Sequence, residues 1–390
     1  MTVDSRPGST ATVLSPSAFL GLGPGVSHLA AGGEAPPVRT AIDAYGRFLE
    51  QKSRGMAGRA AFITEADAVK PRLALLMGLP VSAAERIAFL GSAAEGINRF
   101  ADGLSWNPGD EVVAFADEYP NALVPWLARA ELGVRLVPAD PEIPPEVAIR
   151  SVLTDRTRVI CVSHTSYLHG RLLPLDRMRS LADSCGALLV VDASQSLGAV
   201  AVDANLCDVL VSCCYKFLLG VHGLGVYYCS ERALEGTQSM MVGWHSIVWP
   251  SVAGRAYSFD LQGDASRFEL GNPPFPAVLA LSEGLKLLES VPVARMEAHV
   301  LDLAELLRAR LRSLGLPLWD GPDGTMYGAN IVFKSPCADE VVRALALRGV
   351  HAWSGDGRVR FSVHGYNSAD DVERAAQAVE SLDLDGCPNE

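Results

Sequence analysis

The chain contains 390 residues, of which 49% are hydrophobic and 20% are charged, so it can bury a large core, and its length suits one large and one small domain. Its formal net charge of −12 leaves no basic face for a nucleic acid, and no Lys/Arg cluster of the kind that marks such a face is visible. The N-terminal sequence lacks an uninterrupted apolar segment, and no stretch approaches the roughly 20 apolar residues that span a bilayer, so we expect a cytoplasmic globular protein.

The first residues are rich in Ser, Thr, Pro and Gly. We expect residues 1–17 to form a loosely ordered tail, and we expect the same of the LDGCPNE segment at the other end. The GLGPG sequence, Gly21–Gly25, is the only feature that favours a nicotinamide-dependent oxidoreductase. Because it follows no strand pattern and opens no clear βαβ unit, it lacks the context of a dinucleotide-binding loop.

Seven apolar segments, separated by segments of helical length, predict the strands of a large domain over residues 18–273. Nearly continuous apolar strands of this kind are typical of a mostly parallel sheet that is covered on both faces. The predicted strands are Arg86–Leu90, Glu111–Phe115, Arg135–Pro138, Val159–Ser163, Ala187–Asp192, Val209–Cys213 and Gly225–Cys229.

The pattern changes after Asn272, where long helices begin. We expect residues 274–390 to form a smaller C-terminal α/β domain, joined to the large one through a long linking helix. The predicted elements are the helices Phe275–Ser290 and Val293–Leu314, strand Tyr327–Phe333, helix Asp339–Arg348, strand Arg358–Val363 and helix Ala369–Leu382.

Eight cysteines are scattered along the chain without CxxC spacing. Cys161, Cys213, Cys214 and Cys229 lie in apolar segments, where a cysteine commonly packs as a small hydrophobic residue. This pattern disfavours a disulfide framework and a zinc site.

Candidate ligand-binding residues follow the predicted strands, at the edge where parallel sheets bind ligands. In GSAAEGIN, Gly91–Asn98, small residues precede a helix whose first N–H groups could bind an anion. Tyr119 follows the second strand, and its ring could lie over a flat ligand. Later strand ends add His164, Tyr167, Asp192, Gln195 and Lys216.

Each of these residues also has an ordinary structural interpretation. Asp192 could cap a helix, His164 could be a core histidine, and Gln195 could belong to a turn. Lys216 is harder to explain in this way, because the segments around it, Val209–Val211 and Phe217–Leu219, are apolar and should draw it into the protein. A buried amine must be paired, neutralised or used covalently.

Taken together, these residues match the needs of pyridoxal 5′-phosphate (PLP). Its phosphate needs N–H donors, its ring needs a stacking face, its pyridine nitrogen needs a carboxylate, and its aldehyde needs a lysine. We therefore expect a PLP enzyme in which Lys216 forms a Schiff base at rest.

The sequence also resembles a known family. VDASQSLGAVAVD followed by DVLVSCCYKFLLGVHGLGVYY has the order and spacing found in class V aminotransferase-fold enzymes, and the resemblance extends from about His28 to Leu382. This group includes cysteine desulfurases, selenocysteine lyase, kynureninase and isopenicillin N epimerase-like enzymes. The resemblance implies PLP fold-type I (aspartate aminotransferase-like), with a mostly parallel seven-stranded sheet in the large domain.

The resemblance assigns roles to individual residues. It implies that Lys216 holds the cofactor, that Asp192 pairs with the pyridine nitrogen and that Gln195 lies near the phenolic oxygen O3′. Ala93 and Ala94 match the pair that cradles the phosphate, and Ser92 could add a hydroxyl. Tyr119 stands where many members have a stacking histidine, and Arg360 matches the arginine that binds the substrate carboxylate.

The segment RFELGNPPF, Arg267–Phe275, resembles the part of the family that reaches the neighbouring subunit's active site. Asn272 stands there where a phosphate-contacting Thr is common. The resemblance therefore implies a homodimer with shared active sites.

The chain departs from the family's pattern at three further places. Tyr215 replaces the histidine that often precedes the lysine, and Tyr167 stands where desulfurases have an asparagine beside O3′; a phenol can donate a hydrogen bond in either place. The loop before Arg360, GVHAWSGDGRVRFS, lacks the catalytic cysteine of the desulfurases, and Cys337 lies before the preceding helix. Persulfide-forming desulfurase activity is therefore disfavoured.

The expected chemistry begins at the Cα carbon of an amino-acid substrate, where Lys216 is the natural base. We favour β-elimination from a cysteine S-conjugate, that is, C–S lyase activity, as occurs in natural-product biosynthesis. Transamination, epimerisation and decarboxylating oxidative deamination remain open. An aromatic stretch, Trp244, Trp249, Tyr257 and Phe259, could line a mouth for a bulky substrate or could simply pack in the core or at a dimer interface.

Two further interpretations remain. The chain could be a PLP-fold protein that has lost catalysis and serves as a partner subunit, although Lys216, Asp192 and Arg360 are intact. A metal site at His164 and His169 is disfavoured, because their spacing does not place both on one helical face.

Overall fold

Seven strands of the computed structural model form one sheet, and their positions agree closely with the seven predicted segments. The structure describes residues 11–238 and 241–382. The strands of this sheet are β2 (Ile87–Leu90), β3 (Glu111–Phe115), β4 (Arg135–Ala139), β5 (Thr157–Ser163), β7 (Leu188–Asp192), β8 (Val209–Cys213) and β9 (Gly225–Cys229).

The sheet has the strand order β2-β9-β8-β7-β5-β3-β4. All neighbouring pairs are parallel except those that β9 makes with β2 and β8. Most of these strands are buried along their whole length, which explains why they appear in the sequence as continuous apolar runs. The predicted mostly parallel sheet is confirmed.

Shorter strands lie outside this sheet. They are β1 (Ser27–His28), β6 (Arg171–Leu172), β10 (Ile247–Val248), β11 (Asp260–Leu261), β12 (Met326–Tyr327), β13 (Asn330–Lys334), β14 (Val350–His351), β15 (Trp353–Gly355) and β16 (Arg358–Ser362). In the C-terminal part of the chain, β13, β16 and β15 form an antiparallel sheet. The predicted strand Tyr327–Phe333 is thus two strands, because β12 pairs with β6 and only β13 joins the C-terminal sheet.

The helices are α1 (Ala41–Lys52), α2 (Met56–Leu76), α3 (Ala93–Gly103), α4 (Val124–Leu127), α5 (Pro145–Val152), α6 (Leu175–Cys185), α7 (Glu231–Glu235), α8 (Phe275–Glu289), α9 (Val293–Ser313), α10 (Ala338–Ala346) and α11 (Ala369–Glu380). The long helix α8, which was predicted to link the two parts of the molecule, packs against α1 and α2. Helix α11 starts at a capping box formed by Ser368 and Asp371, and packs on α9. No described helix is long and apolar enough to span a membrane.

The N-terminal segment departs from the prediction of a loose tail over residues 1–17. Residues 1–10 lie outside the described residues, but Leu14 is buried, and the N–H groups of Val13 and Leu14 both donate to the Gly365 carbonyl, at 2.9 and 2.8 Å. Strand β1 pairs with β14 in parallel. Residues 11–17 are ordered because an apolar side chain and backbone hydrogen bonds hold them against the C-terminal α/β unit.

The LDGCPNE segment lies outside the described residues. Cys161, Cys207, Cys213, Cys214 and Cys229 are buried free thiols, and Cys185 is partly buried. Cys337, by contrast, is disulfide-bonded, which the sequence pattern did not predict.

Candidate active site

The carboxyl ends of the parallel strands surround a cleft whose empty volume, including space open to solvent, is about 510 Å³. Its lining includes every predicted cofactor-binding residue except Asn272: Ser92, Ala93, Ala94, Tyr119, Tyr167, Asp192, Gln195, Tyr215 and Lys216. Four further residues also line it, Asn121, Ser163, Ser194 and Cys213. The sheet topology thus brings together residues that are up to 124 positions apart in the sequence, from Ser92 to Lys216.

Lys216 lies on a tightly held segment just after β8. The Phe217 carbonyl accepts a hydrogen bond from His364 Nε2 at 3.0 Å, and the Tyr215 carbonyl accepts one from the Ala35 N–H group at 3.1 Å. A methyl group built at Gly198 would lie 2.3 Å from the Phe217 carbonyl oxygen, so only glycine permits this close approach. The backbone of the lysine segment is therefore fixed from several sides.

The side chain of Lys216 is partly exposed, although Phe217, Leu218 and Leu219 are buried as predicted. Its amine lies 5.9 Å from the centre of the Tyr119 ring and 5.7 Å from that of Tyr215. Within the part of the chain that the structure describes, the amine has no hydrogen bond and no ion pair. Lys216 thus differs from the expected fully buried amine because its side chain opens into the cleft.

Asp192 is 6% exposed and ends β7 in the centre of the sheet. Its Oδ1 accepts a hydrogen bond from the Ser194 N–H group at 2.8 Å, and Ser194 Oγ accepts one from the Cys213 N–H group at 3.1 Å. Oδ2 has no partner among the described residues. Asp192 therefore presents one oriented oxygen to the cleft and caps no helix.

Helix α3 directs its N-terminus at the same cleft. Ser92 is the N-cap, and its Oγ accepts a hydrogen bond from the Glu95 N–H group at 3.1 Å, while Glu95 accepts one from the Gly91 N–H group at 2.8 Å. The N–H groups of Ala93 and Ala94 lie in the first turn of the helix, where no helix carbonyl precedes them as an acceptor, so they remain available to an anion.

Gly225, at the start of β9, packs directly against this helix start. A methyl group built there would lie 2.4 Å from the carbonyl carbon of Ser92 and 2.8 Å from the Ala93 nitrogen. The absence of a side chain at Gly225 thus allows the N-terminus of α3 to pack directly against the start of β9.

Three tyrosines form one wall of the cleft. The rings of Tyr119 and Tyr167 meet edge to face, with centroids 5.0 Å apart, and Tyr215 stacks on His222 with centroids 3.9 Å apart. Burial raises the pKa of Tyr167 to about 12, so this phenol is a hydrogen-bond donor at neutral pH. Its Oη donates to Asp356 Oδ2 at 3.3 Å rather than into the cleft.

Arg360 lies next to the cleft, in β16, and is 2% exposed. Its guanidinium stacks on the Trp353 ring, 4.2 Å from the centroid, and Nη1 donates to the Tyr167 carbonyl at 3.1 Å. Nε is buried without a partner, and no described carboxylate pairs with this group. Burial lowers the pKa of Arg360 to about 10, which still leaves it charged at neutral pH. A buried cation without a counter-ion indicates an anionic ligand.

Two predicted cofactor contacts have other partners in the structure. The Gln195 amide lines the cleft, but its Nε2 donates to the Gly32 carbonyl at 2.9 Å and its Oε1 accepts from Asn330 at 3.0 Å. Asn272 does not line the cleft and accepts a hydrogen bond from Arg59 at 3.1 Å. No contact among the described residues places Asn272 in the cleft.

The other candidate features lie outside the cleft. His164 bonds to Ser196 at 2.9 Å and His169 pairs with Asp117, so the two imidazoles have different partners. Residues 21–25 lie in a turn before β1, so no βαβ unit opens there. The aromatic stretch is exposed, and Trp244 and Trp249 together line two other surface clefts rather than the cleft of Lys216. No group of three His, Cys, Asp or Glu residues between residues 11 and 382, outside positions 239 and 240, is arranged to hold a metal ion.

Sequence reasoning missed the four extra lining residues. Ser163 and Cys213 are the last residues of β5 and β8, and Ser194 lies between Asp192 and Gln195, so their strand-end positions were a usable signal. Cys213 was predicted to pack as a small hydrophobic residue, and it is buried as predicted. It also lines the cleft, and burial raises the pKa of its thiol.

The residues of the cleft fit PLP. A lysine amine without a partner, a buried carboxylate with an open oxygen, free N–H groups at a helix start and an aromatic wall are present in one cleft, and these are the groups that the cofactor requires.

The chain is similar to known proteins over most of its length. The model of the family described as aminotransferase class-V matches residues 34–375. A probable cysteine desulfurase of Methanothermobacter thermautotrophicus is 26% identical over 330 residues, which cover 77% of this chain and 80% of the relative.

Solved structures share the fold. The apo structure of a cysteine desulfurase from Thermococcus onnurineus has a TM-score of 0.82 at 23% identity and covers 93% of this chain and 95% of its own. A C-DES mutant with glycine covalently linked to the PLP cofactor has a TM-score of 0.85 at 18% identity and covers 95% of this chain and 100% of its own.

Proposed function

Because the chain belongs to the aminotransferase class-V family, whose members are PLP-dependent enzymes, we propose that it cleaves the C–S bond of a cysteine S-conjugate or a similar β-substituted amino acid by elimination. The observation that carries the proposal is that one cleft contains both the unpartnered amine of Lys216 and the carboxylate of Asp192. The cysteine-type substrate is supported by relatives named as probable cysteine desulfurases.

Elimination is favoured over persulfide formation because of the short hairpin that carries Arg360. Strands β15 and β16 are joined by a turn at Asp356 and Gly357, and residues 350–362 contain no cysteine. Cys337 is disulfide-bonded, so it offers no thiolate. The Cys213 thiol is buried with a raised pKa, which disfavours the thiolate that would attack sulfur.

Under this proposal the cofactor, when bound, serves as an electron sink that weakens the bonds at Cα. The helix α3 N–H groups hold its phosphate, Asp192 keeps its pyridine nitrogen protonated and Tyr119 covers its ring. Arg360 binds the carboxylate of the substrate, since its guanidinium lacks a counter-ion. Lys216 Nζ takes the proton from Cα.

The overall reaction converts the S-conjugate and water into a thiol, pyruvate and ammonium. The proton from Cα goes to Lys216, the C–S bond breaks with its electron pair on sulfur, and the thiolate leaves Cβ. Hydrolysis of the remaining enamine releases pyruvate and ammonium.

We also propose that the protein is a homodimer. Asn272 lies outside its own chain's cleft, and an exposed aromatic surface, Trp244, Trp249, Tyr257 and Phe259, lies in the segment preceding Asn272. Exposed apolar surface of this kind is typical of an interaction face.

The test is an absorbance spectrum of the purified protein, repeated after adding L-cysteine S-conjugates, with pyruvate and ammonia assayed in parallel. A visible PLP band together with pyruvate formation supports the C–S lyase. A band that changes without pyruvate rejects elimination and favours transamination, epimerisation or oxidative deamination. The absence of a band after PLP is supplied rejects the cofactor assignment.

A further inference from the structure

A carboxylic acid that the proposed mechanism does not use touches the wall of the cleft. Glu118 lies in the loop after β3, and its Oε1 accepts a hydrogen bond from the Ser163 N–H group at 2.7 Å. Its Oε2 bonds to the Ser163 hydroxyl. Ser163 ends β5, lines the cleft and is paired in register with Asp192 on β7. Glu118 is therefore connected to the cleft through one intervening residue, Ser163.

The surroundings of Glu118 favour its neutral form. Burial is the largest cause that raises its pKa to about 7, and the nearby carboxylates of Asp117 and Asp192 raise it further, although the bonds from Ser163 oppose this. Glu118 also interacts with the neutral Cys161 thiol on β5 and with Arg171 on β6. Arg171 donates to the Pro141 carbonyl at 2.7 Å and forms no ion pair with Glu118 within the described residues.

The Ser163 hydroxyl has one proton to donate, so its direction depends on Glu118. When Glu118 is a carboxylate, the hydroxyl donates to it and presents only acceptor lone pairs to the cleft. When Glu118 is a carboxylic acid, it donates its own proton to Ser163 Oγ, and the hydroxyl proton turns toward the cleft. One protonation event thus reverses the polarity of a group that lies beside Asp192.

We propose that Glu118 is a positioning residue that determines, through Ser163, whether a group bound next to Asp192 meets a hydrogen-bond donor or an acceptor. The inference rests on the proposed function, because PLP is the group that the cleft would hold there. Its consequence is that the visible absorbance of bound cofactor changes with pH around the titration of Glu118, without any change at Lys216 or Asp192.

The first experiment uses the holoenzyme. The visible spectrum is recorded from about pH 6 to about pH 8, on either side of the Glu118 midpoint, for wild type, Glu118→Gln and Ser163→Ala. A glutamine amide donates to Ser163 as the protonated acid does, so Glu118→Gln should hold the low-pH spectrum across the range. Ser163→Ala should also abolish the pH-dependent change. Glu118→Gln that titrates like wild type would overturn the proposal.

The matched control is Glu111→Gln. Glu111 is a buried acid at the first residue of β3, whereas Glu118 follows the last residue of that strand. Glu111 accepts a hydrogen bond from Thr154 and pairs with Arg135 at 3.2 Å. It lies away from the cleft, so Glu111→Gln should leave the spectral titration as in wild type. Loss of the titration in this control would show a general effect of removing a buried acid, and would also overturn the proposal.

The second experiment needs no cofactor. Because folding raises the pKa of Glu118 from an ordinary value of 4.5 to about 7, its contribution to stability is fully present below the lower value and is lost as the pH rises between the two. The melting temperature of apo Glu118→Gln should therefore gain on that of apo wild type across this window. In apo Ser163→Ala the loss should extend to higher pH, because the hydroxyl that lowers the pKa of Glu118 is removed. An unchanged difference rejects a proton on Glu118 even if PLP never binds, so failure of the inference and failure of the proposed function are distinguishable.

Discussion

The side chain of Lys216 opens into the cleft and is only partly buried, whereas the apolar residues that follow it, Phe217, Leu218 and Leu219, are buried. The reason is that a segment's hydrophobicity reports where its backbone lies, whereas the direction of one long side chain depends on what surrounds it in space.

Replacing Lys216 with alanine should abolish the adduct that borohydride reduction forms between protein and PLP, because no other amine lines the cleft within the described residues. Mass spectrometry of the reduced, digested protein measures this directly. Lys286→Ala is the control, since this exposed lysine pairs with Glu283 on α8 and should not affect the adduct. An adduct that persists on another lysine would contradict the assignment of Lys216.

Replacing Arg360 with alanine should mainly raise KM for amino-acid substrates. Charge-assisted hydrogen bonds contribute roughly 1.5–3 kcal/mol, so KM should rise about ten- to a hundred-fold, with a smaller change in kcat. Steady-state kinetics check this, and the PLP spectrum without substrate should stay the same. Unchanged kinetics would show that the unpartnered guanidinium serves another purpose.

Replacing Tyr119 with alanine should weaken PLP retention by roughly two- to ten-fold, because an aromatic contact contributes about 0.5–1.5 kcal/mol. Dialysis followed by cofactor quantification measures retention. Tyr119→Phe keeps the ring and should retain PLP as wild type does. Equal retention in the alanine variant would mean that the ring packs only against Tyr167.

The helix start of α3 and the first residue of β9 depend on each other. Their contact was not foreseen, because Gly225 and Ser92 are far apart in the sequence and a glycine in a strand shows only that something approaches closely. The sequence did predict the helix start itself, since small residues before an amphipathic helix are a local signal.

Replacing Gly225 with alanine should push the helix start away from the cleft. The new methyl group would meet backbone atoms at 2.4 and 2.8 Å, which cannot move without displacing Ser92 and Ala93. Overpacking of this kind costs roughly 1–3 kcal/mol, so we expect a lower melting temperature and weaker binding of PLP.

Pyridoxal, which lacks the phosphate, distinguishes loss of the phosphate contact from a general loss of stability. If the phosphate contact is lost, Gly225→Ala should weaken the binding of pyridoxal less than the binding of PLP. Gly46→Ala is the matched control: this helical glycine in α1 has open space around it and should tolerate the methyl group. If Gly225→Ala bound PLP as wild type does, the helix start would not be the phosphate site.

At the scale of the whole molecule, most strands of the central sheet were predictable because they are buried and therefore apolar along their length. The pairing of β1 with β14 was not predictable, since two-residue strands carry no periodic signal and their partners lie at opposite ends of the sequence. We propose that residues 11–31 and the C-terminal α/β unit together form the small domain.

The candidate site was also predictable only in part. Strand-end residues such as Asp192 and Tyr119 could be predicted to lie together from the topology of a parallel sheet. The hydrogen bonds of Gln195 to Gly32 and Asn330 could not, because they depend on how two distant segments pack.

The proposed homodimer can be tested by mixing two inactive variants. If Asn272 contacts the phosphate in the neighbouring subunit's active site, Asn272→Asp should repel it, and Lys216→Ala should inactivate its own site. A mixed dimer then has one site that carries both defects and one that carries neither, so activity should reappear on mixing, as pyruvate formation would show. Sedimentation as a monomer, or exchange of subunits without recovered activity, would contradict the shared site.

The pairing of β1 with β14 also constrains how the protein is made. Ser27 pairs with Val350, so the N-terminal strand leaves the ribosome long before its partner is synthesised. During translation the central sheet can form first, because its strands all lie before Ser230. Arg360 lies beyond Val350 in the chain, so the arginine that we propose binds the substrate reaches its place only as the two distant segments of the chain close on each other.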